Sequence, residues 1–578
     1  MASVNESARA GLELIFGDRV RFDRVERKLY SADIGALPKL VKPFVPAGIA
    51  GAVVRPRDEA QVIDVVKLAL REGLRLVPRA ASTSGYGGVL PEQGAVVVDM
   101  SGMSRLLSVD PTAMTATVQA AALWEPLQKE LNKQGLDLRL YPSSLPSSTV
   151  GGWLAQGGSG FGSYEYGTFK ENVVSARVVL PDGSVRDFDG DDLRTYVADA
   201  EGITGIITEL TFLLRALGPE THRVFSFPDA ASLQKTMQEA GAAGLPLWSV
   251  TFLNPESLRL KKRLPHRHGH PYENEMVHVE PELPEAYAMI VAYPASRRDA
   301  MDAPLARIVA ANGGADLGSE VAEHEWEQRF APMRLKRIGP SIIPTEVVVP
   351  LAETAAVLGE IDEKIEQPFV LEGMIGKGDQ VVLLGFIPHD QRTFAFNAAF
   401  ALSLSVIAIA KRHGGAAYST GLYFRREAAG VLGADKVRAL TEFKAKSDPR
   451  GFMNPNKVLG TGMIDVLMGT AAAMEPLVRP IANAAKAPTG DMVGARDING
   501  IPAQVAFYAY ACAQCGYCVP TCEEYSGRGW MSHSPRGKYL YLREVIEGRE
   551  KFDQKMVDTF LVCTTCEVCN TRCQLQLP

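Results

Sequence analysis

The chain has 578 residues, and its 61 Lys and Arg nearly balance its 67 Asp and Glu, which gives a formal net charge of −6 at pH 7. Because there is no basic excess, nucleic acids and anionic membrane surfaces are not expected as partners. A hydrophobic fraction of 46% and a charged fraction of 22% are ordinary for a globular protein and exclude a disordered chain.

The amino terminus carries charges throughout and lacks the apolar centre of a signal peptide. The longest nearly apolar run covers residues 398–410, which is shorter than the ~20 residues of a membrane-spanning helix and predicts a buried helix instead. We therefore expect a cytoplasmic protein without a direct membrane span, associated with a membrane only through a partner. Residues 1–45 are interpreted as an N-terminal extension.

Residues 46–216 alternate strand and helix signals and are predicted to form one domain. Strands are predicted at residues 52–56, 74–77, 94–100, 173–180 and 205–214. After the first strand, residues 58–72 have apolar side chains at helical spacing behind Asp58, a residue suited to cap a helix N-terminus.

Two loops in this domain, at residues 78–88 and 148–162, are rich in small residues. Such loops let successive backbone N–H groups approach a pyrophosphate, and their Ser and Thr hydroxyls add hydrogen-bond donors. Taken alone, each loop could also be an ordinary glycine-rich turn. The domain has neither the G-x-G-x-x-G fingerprint of a Rossmann NAD site nor a Walker lysine loop, so neither of those nucleotide sites is predicted.

Mixed helix and strand signals continue through residues 217–460, which we interpret as a second, substrate-binding domain that ends in turn sequences. Residues 461–500, rich in Ala, Gly, Met and Pro, are interpreted as a connector. Residues 501–578 form a third domain that holds every cysteine of the chain. This concentration in one segment indicates a ligand-bearing module rather than disulfide bonds, which would be spread through the domains.

The eight cysteines form two copies of the spacing C-x2-C-x2-C-x3-C, namely Cys512, Cys515, Cys518 and Cys522, then Cys563, Cys566, Cys569 and Cys573. This spacing is typical of two [4Fe–4S] clusters in which the fourth cysteine of each run binds the other cluster. We predict that Cys573 completes the first cluster and Cys522 the second. The proline that usually follows the fourth cysteine is absent, so this crossed assignment stays open. Zinc is disfavoured, because zinc sites usually take two separated C-x2-C pairs.

The first two domains resemble the FAD-linked oxidases of the vanillyl-alcohol-oxidase and p-cresol-methylhydroxylase superfamily, in particular the glycolate oxidase and D-lactate dehydrogenase flavoproteins. The matching segments are residues 78–88, 99–103, 149–162, 166–168, 172–174, 181–183, 201–208, 448–451 and 454–459. The third domain resembles the helical ferredoxin modules of glycolate-oxidase iron–sulfur subunits and heterodisulfide-reductase small subunits. The resemblance implies an α+β fold with a two-subdomain FAD domain of the p-cresol-methylhydroxylase type, an α+β cap domain and a mainly α-helical ferredoxin domain.

The resemblance also implies FAD, with its pyrophosphate against the two small-residue loops and its isoalloxazine ring at the boundary with the cap domain. Thr83 and Ser84 stand where covalent relatives have a histidine, and no cysteine lies outside the third domain, so the FAD is expected to be non-covalent. The implied cofactor-binding residues are Pro78, Arg79, Ala80, Ala81, Ser82, Thr83, Ser84, Gly85, Gly87, Gly88, Ser148, Thr149, Gly151, Gly152, Ala155, Gly157, Gly158, Gly160, Tyr166, Gly167, Glu201, Gly202, Gly205, Ile206 and Asn454.

The substrate stays open, because the acidic-histidine pair of 2-hydroxy-acid relatives is missing after Gly414-Gly415. Arginines suit a carboxylate, and Tyr or His can act as a base. The candidates for gripping a carboxylate are Arg329, Arg334, Arg337, Arg425 and Arg426, and the candidate bases are Tyr418, Tyr423 and His413. His266, His268 and His270 are candidate metal ligands. The alternative interpretation of each of these residues is an ordinary surface or core side chain.

A flavin accepts electrons in pairs and a [4Fe–4S] cluster carries them singly, so the two modules together indicate a dehydrogenase. We expect it to oxidise a small 2-hydroxy acid such as lactate or glycolate. The electrons would pass to a partner subunit that is heterodisulfide-reductase-like, cysteine-rich or an electron-transferring flavoprotein. The alternative is an electron-transfer subunit of such a complex with no organic substrate of its own.

Overall fold

A computed structural model describes residues 4–264 and 283–577. Up to residue 216 the elements are, in order, α1 (Glu6–Phe16), β1 (Val20–Arg21), α2 (Arg24–Leu29), β2 (Ala52–Val54), α3 (Glu59–Glu72), β3 (Leu76–Arg79), β4 (Val96–Asp99), β5 (Leu106–Asp110), β6 (Thr115–Gln119), α4 (Trp124–Asn132), β7 (Leu136–Leu138), α5 (Val150–Gln156), α6 (Ser163–Tyr166), β8 (Val173–Val179), β9 (Val185–Asp189), α7 (Gly190–Tyr196) and β10 (Ile206–Ala216).

The first sheet has the order β1-β2-β4-β3, and β2, β4 and β3 are parallel. Helix α3 covers it because Val62, Val65 and Val66 fall on one helical face and are fully buried. The Asp58 side chain caps this helix by accepting a hydrogen bond from the backbone N of Gln61 at 3.0 Å, as predicted. The chain leaves β3 directly into the first small-residue loop.

The second sheet is antiparallel, with the order β5-β6-β10-β8-β9 and with β7 paired to β10. An aromatic cluster lies against it. The Trp153 and Phe169 rings stack at 4.9 Å, and the Phe212 ring meets Trp124 edge-on at 5.8 Å. The two sheets confirm the two-subdomain FAD domain and the α+β class that the resemblance implied.

The cap domain follows. Its elements are β11 (Glu220–Phe227), α8 (Ala230–Ala242), β12 (Ser249–Leu253), α9 (Pro255–Lys261), β13 (Tyr287–Pro294), α10 (Arg298–Ala311), β14 (Ala315–Asp316), α11 (Ser319–Glu327), β15 (Ser341–Pro350), α12 (Thr354–Lys364), β16 (Val370–Gly376), β17 (Gln380–His389), α13 (Ala395–Ala399), α14 (Leu402–Arg412), β18 (Ala416–Ala417), α15 (Ala428–Leu432) and α16 (Ala434–Ser447). In the described residues its strands form one antiparallel sheet in the order β14-β11-β13-β12-β16-β17-β15-β18.

Strand β15 positions the site, because successive side chains of a strand point to opposite faces. Ile343, Val347 and Val349 lie in the cap core, whereas Pro344 and Glu346 face a cavity. One stretch of the described residues, Ala395–Arg412, is long and apolar enough to cross a membrane. It is divided into α13 and α14, and half of it is buried inside the protein, which fits a core helix.

The remaining elements are α17 (Met463–Ala473), α18 (Glu475–Ala484), α19 (Ala503–Ala511), α20 (Glu523–Arg528), α21 (Pro535–Ile546), α22 (Gln554–Leu561) and α23 (Val568–Arg572). The segment interpreted as a connector is therefore partly helical, and it is packed. The Gln367 side chain donates to the carbonyls of Ala482 and Asn483 at 3.1 Å each.

The N-terminal segment is part of the fold rather than an appendage. Val25, Leu29 and Tyr30 share a buried core with Trp530 and Tyr541 of the C-terminal domain. Ion pairs at 2.8 Å join Arg24 and Lys28 to Glu550, and Lys28 to Glu544. The segment therefore fastens the C-terminal domain to the FAD domain.

The aromatic cluster makes a testable contribution to stability. Phe212 is 2% exposed, so Phe212→Ala leaves a cavity and is expected to lower the free energy of unfolding by about 3–5 kcal/mol. Phe394 is 78% exposed, and Phe394→Ala is the matched control, expected to change it by less than about 0.5 kcal/mol. Denaturant unfolding followed by tryptophan fluorescence measures both, and equal effects would contradict the packing described here.

Candidate active site and cluster domain

A deep cleft lies between the two small-residue loops and encloses about 970 Å³, part of it open to solvent. We call it the loop cleft. The predicted cofactor residues that line it are Pro78, Arg79, Ala80, Ala81, Ser82, Thr83, Ser84, Gly88, Ser148, Thr149, Gly151, Gly152, Ala155, Glu201, Gly202, Gly205 and Ile206. Sequence reasoning missed Trp153, Gln156 and Ser144, which also line it.

Polar atoms without partners show that the loop cleft suits a polar ligand. The hydroxyls of Ser82 and Ser148 and one carboxylate oxygen of Glu201 are buried without a hydrogen-bond partner among the described residues. A buried polar atom is costly unless it is bonded, so these three atoms call for a ligand with complementary groups. The pyrophosphate and hydroxyl-bearing chain of FAD supply such groups, so the cleft fits FAD.

Several predicted cofactor residues lie outside the loop cleft. Gly157, Gly158, Gly160, Tyr166, Gly167 and Gly87 are not among its lining residues, nor is Asn454. Gly158 instead approaches the Tyr418 hydroxyl so closely that a Cβ would lie 2.1 Å from it. Asn454 ties loops together by donating to the carbonyls of Gly88 at 3.1 Å and Glu201 at 2.5 Å. Gly85 lines the neighbouring cavity.

That neighbour, which we call the central cavity, lies between the FAD, cap and C-terminal domains and spans about 1090 Å³. Most of its described lining is apolar. Its charged side chains in that part of the chain are Lys336 and Glu346. The first small-residue loop reaches it through Gly85 and Tyr86, so the two cavities meet along this loop.

Glu346 has the properties of a catalytic base. Burial raises the pKa of its carboxyl to about 7, and no charged group of the described residues offsets this. The backbone N of Tyr418 donates to the Glu346 carbonyl at 3.1 Å, which brings the two side chains to one side of the cavity. Burial, and then the Glu346 charge, raise the pKa of Tyr418, so its phenol stays protonated and can donate a hydrogen bond.

Lys336 is the cation of the central cavity. Its ammonium is buried and donates to the Cys512 carbonyl at 3.2 Å, and burial lowers its pKa to about 7. Sequence reasoning considered only the arginines near residue 336 and passed over Lys336 itself. In the sequence Lys336 lies between Leu335 and Arg337, and this local pattern does not mark it as a cavity residue without the fold.

The predicted arginines lie elsewhere. Arg329 and Arg334 line a third cavity behind Phe386, where the Arg329 guanidinium lies 4.2 Å from the Trp326 ring centre. Arg425 is outside the central cavity because Asp465 binds it, with Nε–Oδ2 at 2.9 Å. These three arginines do not line the central cavity, whereas Tyr418 and Tyr423 do, and a carboxylate-binding role for the arginines stays a prediction.

The other candidates also have structural roles or lie outside the structure. His413 is paired with Glu353 and Glu360 at 2.9 Å each, away from the central cavity, which raises its pKa. Arg337 donates to the Leu575 carbonyl at 3.1 Å and so holds the C-terminal residues. His266, His268 and His270 lie outside the described residues.

The cysteines form two neighbouring groups. Cys512, Cys515, Cys518 and Cys573 line one cavity, which Cys569 also reaches. Burial, followed by the charges of Cys515 and Cys512, raises the pKa of Cys573 to about 12. Burial and the charges of Cys563, Cys522 and Cys566 raise the pKa of Cys569. These neighbours match the crossed grouping, although ligation itself stays a prediction.

Within the described residues no three His, Cys, Asp or Glu side chains are gathered tightly enough for a single metal ion. A four-iron cube is larger than one ion and holds its cysteine ligands farther apart. The first cysteine group encloses a cavity of about 460 Å³, part of it open to solvent, which gives such a cube room. The residues therefore fit a cluster at this position.

Polar contacts hold the first cysteine group against both small-residue loops. Arg536 is buried and donates to the carbonyls of Ala81 at 2.6 Å and Ser82 at 2.8 Å. The Ser147 hydroxyl donates to the Cys515 carbonyl at 2.6 Å. The group of cysteines that starts at Cys512 is thus the one beside the loop cleft. Cys563 and Cys566, of the other group, are exposed.

Three protein-family models match the chain: the FAD binding domain over residues 50–189, the C-terminal domain of FAD linked oxidases over residues 220–458 and the 4Fe-4S dicluster domain over residues 511–578. The mitochondrial D-lactate dehydrogenase (cytochrome) of Arabidopsis thaliana is 26% identical over 477 residues, covering 78% of this chain and 79% of the relative. Glycolate oxidase subunit GlcD of Bacillus subtilis strain 168 is 28% identical over 219 residues, covering 36% of this chain and 46% of the relative.

Among solved structures, p-cresol methylhydroxylase with substrate bound matches with a TM-score of 0.63 at 16% identity, covering 78% of this chain and 96% of that chain. The protein is therefore an FAD-dependent oxidoreductase. The chain combines an FAD binding domain, a C-terminal domain of FAD linked oxidases and a 4Fe-4S dicluster domain, and its fold is that of p-cresol methylhydroxylase. The predictions of FAD and [4Fe–4S] clusters are confirmed, and the non-covalent attachment of FAD stays a prediction.

The crossed grouping can be tested with single cysteine variants. We expect Cys522→Ser to disturb the same cluster as Cys563→Ser, because a cube needs all four ligands, while Cys573→Ser disturbs the cluster of Cys512. Iron content should fall from about eight towards about four per chain, and low-temperature EPR identifies which signal is lost. If Cys522→Ser instead removes the signal that Cys512→Ser removes, the crossed grouping is wrong.

Proposed function

We propose that the protein is a dehydrogenase that converts a 2-hydroxy acid to the 2-oxo acid in the central cavity and delivers the electrons to a partner protein. The observation that carries the proposal is the pair of buried charged side chains, Lys336 and Glu346, in one otherwise uncharged cavity beside the loop cleft. A 2-hydroxy acid has one carboxylate and one hydroxyl, which are the groups that such a pair can bind.

Each side chain has a distinct role in this proposal. The Lys336 ammonium binds the substrate carboxylate, an anion that stabilises a cation which burial otherwise disfavours. The Glu346 carboxylate accepts the proton of the substrate hydroxyl as the hydride leaves C2. The Tyr418 phenol donates a hydrogen bond to the substrate oxygen and orients it. FAD, when bound, accepts the hydride, and the clusters carry its two electrons away singly.

The relatives support the substrate class. The names of D-lactate dehydrogenase and glycolate oxidase both denote enzymes acting on 2-hydroxy acids. The exposed thiols of Cys563 and Cys566 support electron exit at the surface, to a heterodisulfide-reductase-like or cysteine-rich subunit or to an electron-transferring flavoprotein. Under this proposal the protein works in the cytoplasm and reaches a membrane only through that partner.

Glu346→Gln tests the assigned base. We expect kcat/KM for 2-hydroxy acids to fall by about 10²–10⁴, because the amide cannot accept the hydroxyl proton. The matched control is Glu372→Gln, since burial also raises the pKa of Glu372 to about 7 although it lines the third cavity. A control that loses as much activity as Glu346→Gln would contradict the assignment.

The wild-type pH profile gives a second test. A base works in its ionised form, so kcat/KM should rise with pH through an apparent pKa of about 7, the pKa that burial gives Glu346. At higher pH it should fall again, because burial lowers the pKa of Lys336 to about 7 and only its protonated form binds the substrate carboxylate. Activity should be lost below this pH, and the rising limb should be absent in Glu346→Gln. Persistence of the same limb in the variant would assign it to another group.

A further inference from the structure

One end of the central cavity is an apolar pocket. Leu37 and Val41 of the N-terminal segment meet Ile464 and Met468 of α17, and all four line the cavity. They pack in one apolar cluster with Tyr423 and Phe424. The cavity therefore combines this apolar cluster with the charged pair of Lys336 and Glu346.

This apolar end lies beside an apolar surface. Leu40 is 58% exposed next to Val41, and on α17 Met463 and Val466 are 63% and 65% exposed on either side of Ile464. The segments that wall the apolar end of the cavity therefore also carry apolar side chains at the protein surface. A hydrocarbon chain bound in the cavity would meet mostly apolar side chains.

A small acid cannot use this space. Lactate or glycolate would occupy the region of Lys336 and Glu346 and leave the pocket of Leu37, Val41, Ile464 and Met468 filled by water or empty. Both states are less favourable than a pocket filled by the ligand, because the removal of apolar surface from water lowers the free energy.

We propose that the substrate is a 2-hydroxy acid with a hydrocarbon chain, whose carboxylate lies at Lys336 and whose chain occupies the pocket formed by Leu37, Val41, Ile464 and Met468. This inference rests on the proposed function and specifies its substrate class. The expected gain in affinity is about fourfold for each methylene group buried, until the pocket is filled.

Unreactive carboxylates test the pocket separately from the chemistry. Butanoate, hexanoate and octanoate are titrated into the FAD- and cluster-loaded protein by calorimetry, and the dissociation constant should fall by about fourfold per methylene. Met468→Trp fills the pocket and should abolish this dependence. Met463→Trp is the same substitution on the exposed side of the same helix and should retain it.

Oxidation is then compared from lactate to 2-hydroxyoctanoate, and kcat/KM should rise with chain length in the wild type and in Met463→Trp. Equal affinities for butanoate and octanoate, or equal behaviour of the two tryptophan variants, would overturn the inference. If carboxylates bind in order of chain length but no 2-hydroxy acid is oxidised, the proposed function fails while the apolar pocket stands.

A second inference concerns Arg536 and rests on a separate set of contacts. Its guanidinium is buried, holds the first small-residue loop through the Ala81 and Ser82 carbonyls, and lines the cavity of the first cysteine group. Ser82 needs such support because its φ of 53° is strained for a residue with a side chain. The charges of Cys515, Cys518 and Cys512 act on the same guanidinium.

We infer that Arg536 is a positioning residue that fixes the flavin-side loop against the first cluster and stabilises the reduced cluster by its positive charge. Reduction adds negative charge to a cluster, and a buried cation beside it favours that state. Arg536→Gln should therefore shift the midpoint potential of this cluster to a more negative value, while Arg536→Lys, which keeps the charge, should shift it less.

Potentiometric titration followed by EPR measures the potential. Arg528→Gln is the control, because Arg528 is an exposed arginine of the same domain paired with Glu524. An unchanged potential in Arg536→Gln, or an equal shift in Arg528→Gln, would overturn the inference. If Arg536→Gln fails to retain iron, Arg536→Lys is compared with the uncharged variant Arg536→Met instead. An Arg536→Lys potential equal to that of Arg528→Gln supports the role of charge, and one as low as that of Arg536→Met overturns it.

Discussion

Electrons pass between two redox groups only when the protein holds the groups close together. In this protein the contact between the two small-residue loops and the first cysteine group meets that requirement. Arg536 donates to carbonyls of the first loop, and Ser147, directly before the second loop, donates to the Cys515 carbonyl. Tyr517, between Cys515 and Cys518, donates to the Phe330 carbonyl at 2.9 Å and so connects the cap domain to the first cysteine group. All three domains meet within a few residues of this cysteine group.

The rest of the chain maintains that meeting point. The N-terminal segment packs Val25, Leu29 and Tyr30 into the C-terminal domain, and its Arg24 and Lys28 pair with acidic residues there. Arg337 of the cap domain holds the carbonyl of Leu575, and Leu575 and Leu577 are buried beside Phe507. The first cysteine group is thus packed against residues of its own chain.

The sequence predicted most of the features that depend on local pattern. The spacing of the eight cysteines needs no tertiary information, and residues 58–72 show their helix through apolar periodicity and the Asp58 cap. Short strands such as β5, β7 and β9 were not predicted, because strands of three to five residues have little periodicity. The helical content of residues 461–500 was also missed, since Ala, Gly and Pro dominated their composition.

The candidate site was harder to predict, because cavities join residues that are distant in the chain. Arg329 and Arg334 have suitable chemistry, but the fold directs them to the third cavity and brings Lys336 to the central one. Glu346 was not singled out from the sequence, because only its burial without a cation beside it marks it as a base. Tyr418 was a candidate because it follows Gly414-Gly415 in the stretch compared with 2-hydroxy-acid relatives, and in the structure Gly158 of the second small-residue loop approaches its hydroxyl.

The central claim is that the electrons of one substrate enter at the flavin and leave through the clusters of the same chain. Rapid mixing of the anaerobic, oxidised protein with 2-hydroxyoctanoate, followed by absorbance at the flavin band and by freeze-quench EPR, tests it most directly. The account predicts that flavin absorbance falls first and that reduced-cluster signals then grow in the absence of any partner protein. A flavin that bleaches while both clusters stay oxidised, or clusters that an external partner alone can reduce, would contradict it.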